Sequence, residues 1–210
     1  MNNQKIEDFI IDLASDKPAP GGGAVSAIVA SLSGALSSMV YNLTIGKKVY
    51  DELSEDDKEL LAENIEEAKG FYMEALRFAK KDKDTFNALM KTYKLPKETE
   101  EEKKRKKHEI QKKILECMIV PLSLAEESLC FYKNIIFAAE KGNKNLVSDA
   151  AIAAIMLHSS IEASIINVKV NLNFIKDEEI KNSVRNKLRI IEENNNIMKM
   201  ECMNIVNKYL

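Results

Sequence analysis

Histidine is scarce in this sequence: among 210 residues only His108 and His158 occur, at no spacing that suits a metal pair. That scarcity argues against a histidine dyad or a histidine-rich metal centre. His108 sits in a charged run and reads as exposed, while His158 lies on an apolar helical stretch and reads as a core histidine. Cysteine is equally sparse. Cys117, Cys130 and Cys202 are odd in number and lack CxxC spacing, so they read as isolated thiols and not as a disulfide framework or a zinc site. Seven glycines and four prolines are few for a chain of this length, and alternating β-type segments are missing. Long apolar runs of helical period make the chain all-α. The two signs of charge nearly cancel, 31 basic against 33 acidic residues for a formal net charge of -2. Basic residues do not alternate with aromatics, so nucleic acid is not an expected partner. No Gly-x-Ser-x-Gly, P-loop or dinucleotide fingerprint is present. The opening Met1–Ile6 shows no apolar core of a secretory signal, which points to a cytoplasmic protein.

What is present is concentrated in Pro18-Ala19-Pro20-Gly21-Gly22-Gly23-Ala24. The prolines stiffen an extended approach, while successive glycines allow positive φ and leave their amides bare of side chains. A helix is expected directly afterwards, with Val25, Ile28, Val29, Leu32, Leu36, Met39, Val40 and Leu43 at three- and four-residue steps. Bare N–H groups feeding a helix N-terminus suit a carboxylate, a phosphate or a polar ring edge. A helix start packed tightly against a neighbour explains the same glycines. No formal charge occurs from Pro18 to Gly46, long enough for a membrane span. Ser26, Ser31, Ser33, Ser37, Ser38, Asn42 and Thr44 interrupt that stretch, so it reads as a core helix and no membrane association is expected.

The rest of the chain divides into helical segments within a single domain, 1–210. Residues 4–15 form a short amphipathic helix, a lid or brace for the glycine turn. Ser54 caps a long helix whose apolar period persists until Pro96. The charged run from Lys97 to Lys113 reads as a solvated helix face. From Ile110 that helix turns apolar, with a kink expected at Pro121. Gly142-Asn143-Lys144-Asn145 is a turn, after which Ser148 is the expected cap of a helix reaching Leu172. Asp177-Glu178-Glu179 opens the last helix. Two carboxylates stand out, Asp82 and Asp84, because aspartate is a poor mid-helix residue; surface charge is the plain alternative for each. Asn167 and Asn171, four apart on one face, suit either a ligand amide or interhelical hydrogen bonds. Residues 22–46 and 148–174 are apolar around most of their circumference, so they are expected to pack together and across a twofold interface.

Four stretches in this order resemble the folate-dependent cyclodeaminase and cyclohydrolase family. They are Pro20-Gly21-Gly22-Gly23 running to Thr44-Ile45-Gly46-Lys47; Asp82 to Phe86 followed by Lys94-Leu95-Pro96; Val120-Pro121-Leu122 with Ala125-Glu126; and Gly142-Asn143 to Ser148-Asp149, ending in Asn167-Val168 and Asn171. The resemblance implies a homodimeric bundle of about five to six long, mostly antiparallel helices with folate in a cleft at the glycine turn. It implies Asp82 as the catalytic carboxylate, not Asp84. Pro20, Gly21, Gly22, Gly23, Lys47, Asp149, Asn167 and Asn171 are then the substrate-binding residues. No metal and no cofactor are implied, because a tetrahydrofolate one-carbon adduct is itself the substrate. A separate formimidoyltransferase is a candidate partner. The implied reaction releases ammonia from 5-formimidoyltetrahydrofolate to give 5,10-methenyltetrahydrofolate. Its alternatives are water addition to the methenyl compound and, in a different class, a non-catalytic helical oligomerisation scaffold.

Overall fold

The computed structural model describes residues 4–210, so the part of the signal-sequence argument that rests on Met1–Asn3 lies outside the described residues. Seven α-helices follow in order: α1 (Ile6–Leu13), α2 (Gly22–Asn42), the short α3 (Lys48–Asp51), α4 (Glu55–Thr92), α5 (Glu100–Lys141), α6 (Val147–Leu172) and α7 (Glu178–Val206). No strand occurs among the described residues. Helix α2 packs against α4 and α6, and α5 packs against α4, α6 and α7.

Direction follows from pairs of hydrogen bonds. Ser33 donates to the Ala153 carbonyl at 2.7 Å and Ser160 to the Ser26 carbonyl at 2.8 Å, so α2 and α6 run antiparallel. Ser31 donates to the Tyr72 carbonyl at 3.0 Å, while Asp82 sits beside Gly23, which makes α2 and α4 antiparallel as well. The serines that interrupt the charge-free stretch thus tie α2 to its neighbours through buried hydroxyls. Small residues on the same face let the backbones approach: a Cβ on Gly34 would lie 2.8 Å from Phe71 Cδ1. Both α2 and the 144–172 stretch are long and apolar enough to cross a membrane, yet 56% of each apolar window is buried inside the protein. Such burial is what core helices show.

The polar centre of the bundle is Asn134, only 1% exposed. It accepts from Ser37 at 2.7 Å and donates to the Asn64 carbonyl at 2.9 Å and to Glu67 Oε2 at 2.9 Å, joining α2, α4 and α5. Asn134→Ala would strand several of these groups away from water, so it is expected to lower the unfolding free energy by about 2–4 kcal/mol in a urea titration.

The helix ends partly follow the sequence. Ser54 accepts from the Asp57 N–H at 3.1 Å and Asp177 from Glu179 and Ile180. A capping box at Thr99 and Glu102 opens α5, which reading the charged run as a solvated face passes over. Ser148 is not the cap of α6. Asn143 accepts from the Asn145 N–H and starts a 3-10 turn over Lys144–Leu146 that runs into α6 at Val147, so the capping work is done earlier in the chain. Helix α4 stops at Thr92, short of Pro96; Lys106 then donates to the Tyr93 and Leu95 carbonyls at 2.8 Å each. Helix α5 continues through Pro121. Helix α1 braces rather than covers: Phe9 packs against the Ala24, Ala27 and Phe78 cluster, while Ile6, Ile10 and Ile11 stay exposed.

Candidate active site at the start of α2

Gly21, in the N-cap position of α2, is extended and has no side chain with which to satisfy the first N–H groups of the helix. A carboxylate from another helix takes that place. Asp82, in the middle of α4, accepts from the Ala24 N–H, and its Oδ1 would lie only 2.1 Å from a Cβ on Gly23. Gly23 is therefore fixed by close approach and not by backbone angle. Among the described residues the positive-φ glycine is Gly46, so the freedom for positive φ that glycines at 21–23 allow is not used. Burial pushes the Asp82 carboxyl above its ordinary value, and the Ala24 N–H partly offsets that rise.

Asp82 borders a cavity of about 240 Å³. The Pro18–Gly23 turn forms one wall, Thr85 and Phe86 continue that of α4, Cys117 comes from α5, and Asn167, Val170 and Asn171 come from α6. The two asparagines spend their N–H groups on the protein: Asn167 Nδ2 donates to the Ala163 carbonyl at 2.8 Å, and Asn171 Nδ2 to the Asn167 carbonyl at 2.9 Å. Asn171 Nδ2 also lies 3.4 Å from the Cys117 carbonyl. That carbonyl lacks its usual helical donor, because the residue four further on is Pro121. Neither Oδ1 has a hydrogen-bond donor among the described residues. The polar groups around Asp82 are thus mostly acceptors, and they suit a ligand rich in N–H donors or carrying positive charge. Burial also raises the Cys117 thiol, and the nearby Thr85 hydroxyl, which itself donates to the Lys81 and Asp82 carbonyls, partly offsets that rise.

Of the residues singled out from sequence, Asp82, Gly21, Gly22, Gly23, Asn167 and Asn171 meet in this cavity. Pro20 is buried behind the turn, and its neighbours Pro18 and Ala19 form the lining instead. Lys47 and Asp149 lie elsewhere in the chain. Both follow from the antiparallel pairing: Lys47 comes after the C-terminus of α2 and Asp149 is in the first turn of α6. One length of α2, about 30 Å at 1.5 Å per residue, separates that end from Asp82. Asp84 is exposed, as is His108, and His158 is buried outside the cavity lining. Thr85 and Phe86 lie in the Asp82–Phe86 stretch of the resemblance but are not among the site residues expected from sequence, although they stand three and four residues after Asp82, on the same helix face. Cys117 and Val170 carry no such signal.

Fold and cavity together define an all-α bundle with a partly buried carboxylate at the start of α2, bordering a small polar cavity. A family profile described as Formiminotransferase-cyclodeaminase matches residues 5–190. The methenyltetrahydrofolate cyclohydrolase of Methylorubrum extorquens is 37% identical over 175 residues, 83% of this chain and 82% of that protein. The formimidoyltransferase-cyclodeaminase of Rattus norvegicus is 31% identical over 183 residues, 87% of this chain but only 33% of the rat protein, so the chain spans about a third of that relative. The crystal structure of formiminotetrahydrofolate cyclodeaminase from Thermotoga maritima superposes with a TM-score of 0.86 at 28% identity, covering 99% of this chain and 98% of the other. The chain belongs to the formiminotransferase-cyclodeaminase family.

Proposed function

We propose that this chain is a folate one-carbon enzyme that converts 5-formimidoyltetrahydrofolate to 5,10-methenyltetrahydrofolate with release of ammonia. The observation that carries the proposal is Asp82, desolvated at a helix N-terminus in a cavity whose other polar side chains offer acceptors. The substrate reacts in its protonated, cationic formimidoyl form: N10 attacks the formimidoyl carbon on N5, and a tetrahedral centre forms. Asp82 takes the proton from N10 and delivers it to the departing nitrogen. The carbon–nitrogen bond to that nitrogen breaks, ammonia leaves, and the cationic N5–C–N10 bridge of the methenyl product remains. A carboxyl of raised pKa suits both halves of this transfer, since it is a better base than an ordinary carboxylate and still able to give the proton back. The Asn167 and Asn171 oxygens accept from the leaving nitrogen, and the Asp82 charge stabilises the cation.

A second reading is favoured by the identity to the Methylorubrum cyclohydrolase. There water adds to the methenyl carbon, Asp82 takes one of its protons and passes it to N5, the N5–carbon bond opens, and the remaining hydroxyl proton is released to solvent as the carbonyl of 10-formyltetrahydrofolate forms. Both reactions share the same carbon, the same carboxylate and a cationic reactant. The 5,10-methenyl absorbance, followed in both directions with purified protein, separates them. The cyclodeaminase makes the chromophore from the formimidoyl compound with stoichiometric ammonia. Consumption of the methenyl compound far above its spontaneous hydrolysis, with no turnover of the formimidoyl compound, supports the second. Activity on neither returns the chain to a non-catalytic scaffold. In the first reading a formimidoyltransferase supplies the substrate.

A further inference from the structure

A buried proline stands near the middle of the longest helix. Pro121 lies within the 42 residues of α5, where its ring crowds the carbonyl four residues back and its missing N–H leaves that carbonyl without a helical partner. A helix interior accepts such a residue only at a loss of stability, and local rules broken in this way concentrate at functional sites. The carbonyl set free is that of Cys117, a residue that lines the Asp82 cavity. Asn171 meets it from α6. The Asn171 Nδ2 carries two hydrogens and spends both, one on the Asn167 carbonyl at 2.9 Å and one on the Cys117 carbonyl at 3.4 Å. Turned over, the amide would set its oxygen against two carbonyl oxygens, so its orientation is fixed and Oδ1 is left as the acceptor on the cavity side. The bond to Asn167 is not what distinguishes Asn171, because exposed helical asparagines such as Asn42, Asn194 and Asn196 also donate to the carbonyl four residues before them. The second anchor, across to α5, is.

We propose that Pro121 is a positioning residue for the candidate active site: by withholding an N–H from the Cys117 carbonyl it tethers the Asn171 amide to α5, so that Asn171 Oδ1 accepts an N–H of the folate substrate. The substrate rests on the proposed folate reaction; the tether does not. With an ordinary residue at position 121, the helical N–H draws the Cys117 carbonyl back into α5. The contact to Asn171 already stands at the long end of hydrogen-bond range, so it breaks, and the amide keeps one anchor in place of two.

Two replacements that both remove the ring separate the missing donor from the ring's shape. Pro121→Ala restores the N–H. Lactic acid in place of Pro121, introduced by nonsense suppression, puts an ester oxygen where that N–H would be. Pro121→Ala is expected to stay folded by circular dichroism and to lower kcat/KM about three- to tenfold, the worth of one hydrogen bond, while the ester chain is expected to recover kcat/KM to within about twofold of wild type. Equal losses in both mean that the ring acts through packing and overturn the inference, as does unchanged kcat/KM or an unfolded chain in Pro121→Ala. Asn171→Ala, alone and together with Pro121→Ala, closes a double-mutant cycle. Pro121→Ala is expected to cost nothing further once the Asn171 amide is gone; an additive loss means that the proline acts through another residue, and the inference falls. Hydrogen exchange of the Asn171 side-chain amide, followed by nuclear magnetic resonance, reads the tether without any substrate. It is expected to speed up in Pro121→Ala and not in the ester chain, and exchange unchanged in both overturns the inference. Wild-type protein inactive on every folate instead refutes the proposed function, while amide exchange still reads the tether.

Discussion

Asp82→Asn is expected to lower kcat for the folate reaction by about a hundred- to ten-thousandfold, the range for loss of a positioned general acid-base. The same change leaves helix content intact and the melting temperature at pH 7 unchanged or higher. Both halves follow from the geometry at the start of α2. Asparagine keeps the oxygen that accepts the Ala24 N–H, so the helix retains its cap, but it holds no proton to exchange and no charge. The stability half follows from the sign of the pKa shift. Burial raises the folded-state value above the ordinary 3.8, so ionised Asp82 is less favourable in the folded chain than in the unfolded one. Stability associated with this group is fully present below the unfolded value and is lost as pH rises through the folded value. At neutral pH the wild type carries that cost and the asparagine variant does not. The activity profile should show the same group: rate falls on acidification as Asp82 becomes protonated, at a higher pH than an ordinary aspartate because burial raises its carboxyl. A variant that retained more than about a tenth of wild-type kcat would remove Asp82 from the reaction.

Gly23→Ala should do comparable damage to turnover and, unlike Asp82→Asn, to the fold as well. The added methyl would meet Asp82 Oδ1 at 2.1 Å, Cγ at 2.5 Å and Oδ2 at 2.7 Å, so the carboxylate must leave its place. That displacement breaks the bond to the Ala24 N–H and overpacks a region where α2 and α4 are in close contact. A loss of about 2–4 kcal/mol in unfolding free energy is expected from overpacking and the lost cap together. Gly22→Ala is the control. Its methyl would meet Asn167 Oδ1 at 3.6 Å and Nδ2 at 3.7 Å, ordinary contact distances, and the variant should stay folded with activity within about threefold of wild type. Chemical denaturation and initial rates on the two variants check this directly. Equal losses in both would mean that the turn needs glycine for some reason other than room for Asp82.

The helices were largely legible because their apolar residues recur at helical steps over long stretches, and the caps at Ser54 and Asp177 depend on residues next to them in sequence. Asp82 as the cap of α2 is a different kind of fact. It joins residues far apart along the chain, and nothing local to Gly21–Gly23 specifies which helix supplies the carboxylate. The same limit applies to the Cys117 carbonyl, which Pro121 deprives of its helical donor and which Asn171 approaches from α6. Lys47 and Asp149 sit in matching stretches of sequence, but an antiparallel hairpin of long helices carries them to the far end of the bundle from Asp82. Short elements such as α3 and the 3-10 turn before α6 hold too few residues for a periodic pattern, so the sequence points to Ser148 as the cap of α6 although the helix already begins at Val147.

Binding of 5,10-methenyltetrahydrofolate to the Asp82→Asn protein, followed by the change in the chromophore on titration, tests the central claim most directly because it separates holding the folate from transforming it. The predicted result is saturable binding, weaker than to the wild type by the lost Asp82 charge, with the absorbance then falling no faster than the spontaneous rate, and loss of that binding in Gly23→Ala. Absence of saturable binding in both wild type and Asp82→Asn, or turnover by Asp82→Asn at the wild-type rate, would contradict the assignment of this cavity as the folate site.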